Sequence, residues 1–519
     1  MPCPKELPPF HSILYPGPER GSEEGDLPGP PDYFADLNLD QLVATLTAGR
    51  EEYQLAPTFY RSLHRVDEVR YRQEIMRDLE TGPTFNHLYE FARKMRSIRA
   101  QTLQMAKLYH PYQKQAWFLD IVESYGEAVA GLRQDLAEAE LHSAGLVAFL
   151  EFLAGYTESP GFRSIREEIH QVKSGLGRVK YNHHILGSSI KISRYASELD
   201  YSAEVQETFL KFQQNEAKDY RIDFPNRIQV NQLEGEVLTL VAQLFPDEFQ
   251  SLAAFCRENT NYLDPTLVAF DREIQFYLAY LDYIAVLKGA GLPFCYPLFS
   301  GEAKEIESKE GFDLVLAFKF VKDKAPVICN DFSLRGRERI MVVSGPNQGG
   351  KTTFARTFGQ LHHLATLGCP VPGRAARVLL FDQIHTHFEQ VETIQNLRGR
   401  LHDDLVRIHR ILDQVTSASI VILNELFSST TLMDAEFLSR EIMAEIVKKG
   451  PLAVWVTFID ELSSLNEQTV SMVSTVMPDN PATRTFKIIR KPADGLAYAM
   501  SIVEKHRLTR DCIRERIKP

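Results

Sequence analysis

The chain lacks several things that would place it quickly. No apolar run reaches the roughly 18–20 residues that a membrane-spanning helix needs. The first residues are proline-rich, not a charged stretch followed by an apolar one, so no secretory leader is read there. The six cysteines (Cys3, Cys256, Cys295, Cys329, Cys369 and Cys512) are scattered and form no C-x-x-C pair. That pattern indicates neither a zinc site nor a disulfide framework, and a reducing cytoplasm fits it. Net positive charge is also missing. The balance is −11, which argues against a protein coated in nucleic acid by bulk charge but leaves room for a local basic patch. No internal repeat and no tract of low complexity is found.

What remains is ordinary globular material: 519 residues, 44% hydrophobic and 24% charged. That length allows roughly two to four domains. Residues 1–35, with "PGPERGSEEGDLPGPPD", read as a flexible arm. Within the arm, "FHSILYP" is apolar enough to dock, either on its own protein or on a partner. Residues 36–296 are helical in period. "AFDREIQFYLAYLDYIAVL" puts Ile274, Leu278, Leu281 and Ile284 on one face. Near 163–200 glycines and β-branched residues interrupt the helices. From 297 the period changes. "RIMVVSG", "ARVLLFD", "ASIVILNE" and "LAVWVTF" are short apolar runs between helical stretches, the pattern of a mostly parallel sheet flanked by helices.

"GPNQGGKT" satisfies G-x-x-x-x-G-K-[ST] through Gly345, Gly350, Lys351 and Thr352. Glycines let backbone N–H groups curl around phosphate oxygens, Lys351 brings charge to the β- and γ-phosphates, and Thr352 offers a hydroxyl to Mg²⁺. An apolar run ends at Ser344 and a helix is predicted from Lys351, with its positive end toward the phosphates. The expected ligands are therefore ATP or GTP with Mg²⁺, held by Gly345, Pro346, Asn347, Gln348, Gly349, Gly350, Lys351, Thr352 and Thr353. Downstream, Ile420–Leu423 ends in Asn424-Glu425. In P-loop ATPases such a strand end carries an Asp that holds Mg²⁺ through water, then a Glu that activates the attacking water. Asn424 can accept a hydrogen bond from a metal-bound water but adds no negative charge, whereas Glu425 keeps the base role. A plain strand-end turn is the alternative.

"CNDFSLRGRERIMVVSGPNQGGKTTFARTFG", "VLLFDQIHTHF", "IVILNELFSSTTLMDA" and "VWVTFIDELSSL" resemble, in order and spacing, the ATPase domain of the MutS DNA mismatch-repair family. "RVDEVRYRQEIMRDL" and "FYLAYLDYIAVLKG" resemble its helical core and lever. The resemblance covers about 310–505 strongly and 40–300 more weakly. It implies that Asn347 helps hold the γ-phosphate, that Lys351 and Glu425 are catalytic, and that Thr352 and Asn424 hold Mg²⁺ through water. Asp382 and Asp404 fall on acidic positions of the family. Other positions depart from it. Phe458 replaces the histidine that senses the γ-phosphate, and Val327 and Ser474 stand where an aromatic and a histidine enclose adenine. Gly399 falls on the serine that reaches into the partner's site, for which Arg398 or Arg400 could substitute by charge. With Asn424, these departures imply weak hydrolysis.

The family's mismatch reader is an N-terminal domain with a Phe-x-Glu wedge, and only the arm precedes the helices here. The Phe149-Leu150-Glu151 triplet lies in an apolar helical run and reads as core. The stretch 163–194 is a positive island with Arg163, Arg166, Lys173, Arg178, Lys180, Lys191 and Arg194 against Glu167 and Glu168. It is either a solvated face or a phosphate-backbone contact through Arg178, Lys180, Lys191 and Arg194. Its position matches the family's DNA clamp. His385 and His387, two apart, read as sheet-edge side chains, and His183 and His184 point to opposite faces of a strand.

The expected fold is multi-domain α + α/β. It comprises the arm (1–35), a helical core and lever (36–296) with a small clamp-like insertion near 163–200, a P-loop ABC-type ATPase domain (297–505), and a short C-terminal helical segment (506–519). The expected function is that of a MutS-like ATPase, homodimeric at least with ATP bound, that recognises DNA structure and not a mispair. The alternative is an ATP-gated clamp or scaffold on a non-DNA macromolecule such as the ribosome, with weak or no hydrolysis.

Overall fold

The structure is a computed structural model of the chain, and it describes residues 10–17, 29–187, 189–196, 230–301, 304–389, 399–493, 510 and 513–514. The chain divides into two compact units. The first comprises 1–10, 83–141 and 147–271; the second comprises 11–82, 142–146 and 272–519. These limits differ from the sequence-derived ones, because 11–82 and 272–296 fold with the residues from 297 onward. Among the described residues no helix is long and apolar enough to cross a membrane.

The first unit is built on two long helices, Thr84–Lys107 and Pro111–Glu138, which pack on each other across a short turn. In the second helix Val122, Tyr125, Val129, Leu132 and Leu136 are buried at three- and four-residue spacing, which is the stripe that drives the packing. Helices Pro160–Gly177 and Pro246–Glu258 pack beside it, each opening on a proline in its first turn, where a missing N–H costs nothing. Phe149 is fully buried and stacked on Phe270, so the Phe-x-Glu triplet is core. An antiparallel hairpin, Tyr181–Leu186 with Ser189–Arg194, follows the 160–177 helix.

The second unit holds a six-stranded sheet of β1 (Ile340–Ser344), β2 (Ile384–His387), β3 (Ile420–Asn424), β4 (Leu452–Val456), β5 (Thr469–Met477) and β6 (Asn480–Arg490). Their order is β2-β3-β4-β1-β5-β6, with every pair parallel except β5–β6. Every residue of β1, β3 and β4 is buried, as expected of strands covered on both faces. One predicted strand falls elsewhere. The start of "ARVLLFD" falls in the strand Ala375–Val378 of a separate four-stranded sheet, and the edge strand of the main sheet is instead the half-polar Ile384–His387. Ile274, Leu278, Leu281 and Ile284 are all buried on the Pro265–Gly289 helix, as their spacing predicts.

Within the arm, "FHSILYP" follows one of its two readings, docking on its own protein. Ser12, Ile13 and Leu14 are buried against their own unit, because side chains of the 66–80 and 265–289 helices satisfy the segment's backbone groups. Residues 1–9 and 18–28 of the arm, and most of the C-terminal segment 506–519, lie outside the described residues.

Candidate functional site

In a parallel sheet every strand ends on the same side, and β1, β3 and β4 deliver the candidate residues there. β1 ends at Ser344, the loop turns through Gly345 to Gly350, and the helix Lys351–Thr366 begins at once. Gly345, Gln348 and Gly350 have positive φ (113°, 59° and 91°), which curves the backbone tightly, as a phosphate-cradling loop requires. Gly349 is held by close approach: a Cβ there would lie 2.3 Å from Ser474 Oγ and 2.9 Å from Pro346 O. The loop is fixed from beneath by Ser474, which donates to Gly349 O at 2.7 Å, and from the side by Arg484, which donates to Asn347 O at 3.3 Å.

Lys351 is nearly buried and sits inside the loop. Its ammonium donates to Gly345 O (3.0 Å), Pro346 O (3.2 Å) and Asn347 Oδ1 (3.3 Å). Burial pulls its pKa below the ordinary lysine value, and Glu425, 3.9 Å away, resists that shift. A polyanion in the loop would resist it further. Thr352 Oγ1 donates to Asn424 Oδ1 at 2.9 Å, so the two candidate metal-holding oxygens, 72 residues apart, meet. Glu425 and Phe427 both have left-handed φ (53° and 63°). That conformation costs a non-glycine residue roughly 1–3 kcal/mol, and here it brings the Glu425 carboxylate within 3.9 Å of the Lys351 ammonium. Hard oxygen donors with no sulfur or imidazole suit Mg²⁺, which keeps waters and phosphate oxygens as its other ligands. Thr353 lies in the first turn of the helix, and its carbonyl accepts from Thr357 at 2.9 Å.

Several other expected positions fall apart from this cluster. Asp382 lies at the opposite, N-terminal end of the strands. It accepts from Ser419 Oγ at 2.8 Å and from the Thr416 hydroxyl, and so clips one loop to the next. Burial would raise its pKa, but these hydrogen bonds prevail and hold it low. Asp404 pairs with the buried His387 at 3.0 Å. Gly399 is the N-cap of the helix that opens at Arg400, and Arg398 lies outside the described residues.

Ser474 is fully buried under the loop. The aromatic at this edge is Phe486, 49% exposed, whose Cβ and Cδ1 lie 3.8 Å from where a Gly350 Cβ would be. Counting along the sequence missed it because β5 and β6 form a long hairpin with register shifts after Ser474. The aromatic in the return strand "TRTFKII" was the available signal.

The basic island divides in two. Arg194 Nε donates to Leu244 O at 3.0 Å, at the C-terminal end of the Gln232–Leu244 helix, and its guanidinium lies 5.0 Å from the Phe245 ring centroid. Arg178 Nε donates to Ser174 O near the end of its own helix. Both arginines thus complement helix C-termini, where cations are favoured. Lys180 and Lys191 are exposed, as are both arginines. His184 is paired with Lys191, and Tyr195 N bonds Lys180 O, so the two lysines share one face of the hairpin.

The chain matches the family MutS domain V over residues 341–514. It is 26% identical over 182 residues to Endonuclease MutS2 of Gemmatimonas aurantiaca, covering 34% of this chain and 22% of that protein. It is 24% identical over 271 residues to DNA mismatch repair protein MutS of Thermotoga maritima, covering 52% and 33%. To the protein of that name from Chlorobium phaeovibrioides it is 27% identical over 316 residues, covering 60% and 34%. The chain thus spans a fifth to a third of the length of these relatives. With a phosphate-type loop, the Asn424-Glu425 strand end and a mostly parallel sheet in residues 341–514, the chain carries a MutS domain V.

Proposed function

We propose that this chain binds and hydrolyses ATP and couples that cycle to a grip on DNA, in the manner of a DNA-repair ATPase that reads DNA structure or backbone and not a mispair. The observation that carries the nucleotide part is the Lys351 ammonium, ringed by three loop oxygens and facing Glu425 at 3.9 Å. In this reading the loop N–H groups and Lys351 hold the phosphates, Asn347 lies by the γ-phosphate, and Phe486 covers one face of the base. Thr352 and Asn424 hold Mg²⁺ through water, and bound Mg²⁺ neutralises charge on the phosphate oxygens. Glu425 accepts the proton of the attacking water. Asn424 lowers the charge at the metal position, so turnover is slow.

A homodimer with ATP bound is part of the reading. Leu432, Met433 and Phe437 are 64%, 82% and 64% exposed at the start of the helix after Glu425, and Phe458 at the end of β4 is 46% exposed. An apolar patch beside a phosphate site fits a second copy that closes over it. The DNA part is supported by the hairpin face with Lys180 and Lys191. Because Phe149 is locked in the core, this Phe-x-Glu cannot wedge between bases. The test is ATPase activity with homoduplex, mismatched and branched DNA, measured side by side. Branched DNA should stimulate turnover most, with matched and mismatched duplexes equal. A tenfold or larger preference for the mismatch would overturn structure reading, and no ATP turnover under any condition would overturn the enzymatic part.

A further inference from the structure

Residues Ser12 to Tyr15 lie on helices Val66–Glu80 and Pro265–Gly289, and the grip on them is mostly on their backbone. Tyr71 donates to Ser12 O at 2.7 Å, Tyr277 donates to Ile13 O, and Arg72 Nε donates to Leu14 O at 3.0 Å. Glu273 accepts from Ile13 N and from Ser12 Oγ, both at 2.9 Å. Three consecutive carbonyls are thus taken by three side chains, while the fully buried Ile13 sets the register. The geometry is that of a groove for a short aliphatic peptide, filled by the chain's own arm.

Arg72 connects this groove to the nucleotide loop. It is fully buried, and its guanidinium lies 5.1 Å from the centroids of both Tyr15 and Phe276. Its Nη1 donates to Leu367 O at 3.3 Å. Leu367 is the C-cap of the helix that starts at Lys351, so a cation sits where that helix concentrates negative partial charge. The two backbones approach closely. At Gly368, with φ +80°, a Cβ would lie 2.5 Å from Arg72 Cβ. One rigid helix of 16 residues, about 24 Å, therefore has the arm-held Arg72 at one end and Lys351 and Thr352 at the other.

We propose that residues 11–16 are a strap whose seating sets nucleotide affinity. Seated, the strap gives Arg72 an acceptor and a ring, and Arg72 holds the end of the phosphate-loop helix. Unseated, Arg72 loses both, and the helix end and the loop it positions loosen together. The inference rests on reading 344–353 as a nucleotide loop.

The test uses the full chain carrying Ile13→Asp, which puts a charge where no water reaches. Affinity for a fluorescent ATP analogue should fall at least about tenfold, within the usual range of coupling between two sites. Hydrogen exchange across 363–369 should accelerate while strand 340–344 stays protected. A synthetic peptide of sequence HSILYPG should reverse both changes. Tyr277→Phe keeps the ring and removes a single donor, so it guards against simple misfolding; it should weaken nucleotide binding by about threefold. Unchanged affinity in both variants overturns the proposal, and so does a loss that the peptide leaves uncorrected. If the unmodified chain binds no nucleotide, the loop reading fails on its own. The exchange and peptide arms then still decide the strap, and unaltered exchange at 363–369 sinks it.

Discussion

The phosphate loop and the basic hairpin are opposite kinds of surface. The loop is concave and made of backbone, and each part of it is held: Ser474 from below, Arg484 from the side, Lys351 from within. The hairpin is a two-stranded ribbon whose cations are side chains, and two of its four candidate cations are spent on helix ends. The histidine pairs show the same contrast. His362 and His363 are buried in the helix behind the loop, whereas His183 and His184 are exposed on the hairpin. A surface preorganised by backbone accepts one chemistry, in the proposed reading a chain of phosphates. A surface of side-chain cations accepts any polyanion and answers to salt.

The sharpest way to break this contrast is at Lys351. Lys351→Ala should abolish ATP binding and leave the fold intact, as read by calorimetry and circular dichroism. Retained wild-type affinity would mean the loop is not a phosphate site. Next in size, Glu425→Gln should retain ATP binding and slow single-turnover hydrolysis by about 10²-fold, the scale for losing a positioned base. An unchanged rate would reduce the strained strand end to a structural turn.

On the hairpin the expected effects are smaller and salt-dependent. Changing Lys180 and Lys191 to Glu should weaken DNA binding. It should also lower the slope of log K against log salt by about 0.9 for each phosphate that is no longer neutralised. Arg178→Glu and Arg194→Glu should instead lower thermal stability and leave that slope nearly as it was. If the two pairs behave alike, the division of the island drawn from their hydrogen bonds is wrong. Asn424→Asp puts a charge beside Thr352 and should raise the turnover rate or sharpen its Mg²⁺ dependence. If neither changes, the metal is held without this position.

The smallest effect concerns pH. Burial lowers His362 and His363 from 6.5 to about 4, against hydrogen bonds from their rings to Phe358 O and Phe59 O that favour the protonated form. Between these values the unfolded chain binds more protons than the folded one. Their stabilising contribution is therefore complete above about pH 6.5, falls as the pH drops toward 4, and levels off below that. The melting temperature of the second unit should follow this course, and His362→Leu should make it shallower while His363 keeps its share. A profile flat across that window in the unmodified chain would contradict the buried, neutral assignment.

What could be read from sequence was local. Gly345 to Thr352 encode a curved backbone within eight consecutive residues, and the apolar runs of β1, β3 and β4 announce strands buried on both faces. Glu425 was legible because it adjoins such a run. Everything that depended on distant partners was settled by tertiary structure. Ser474 lies buried under the loop and Phe486 lies beside Gly350 because a hairpin with shifted register returns the second strand to the loop. Arg194, though exposed, is bonded to a helix end 50 residues on, and Asp382 becomes a clip because Thr416 and Ser419 meet it at the far end of the sheet. The arm looks disordered by composition, yet Ser12 to Tyr15 are seated because Glu273 and Tyr277, some 260 residues later, satisfy their backbone. A motif carries its own curvature in adjacent residues, whereas the partner of a buried polar group is chosen only when the folded chain brings it within hydrogen-bonding distance.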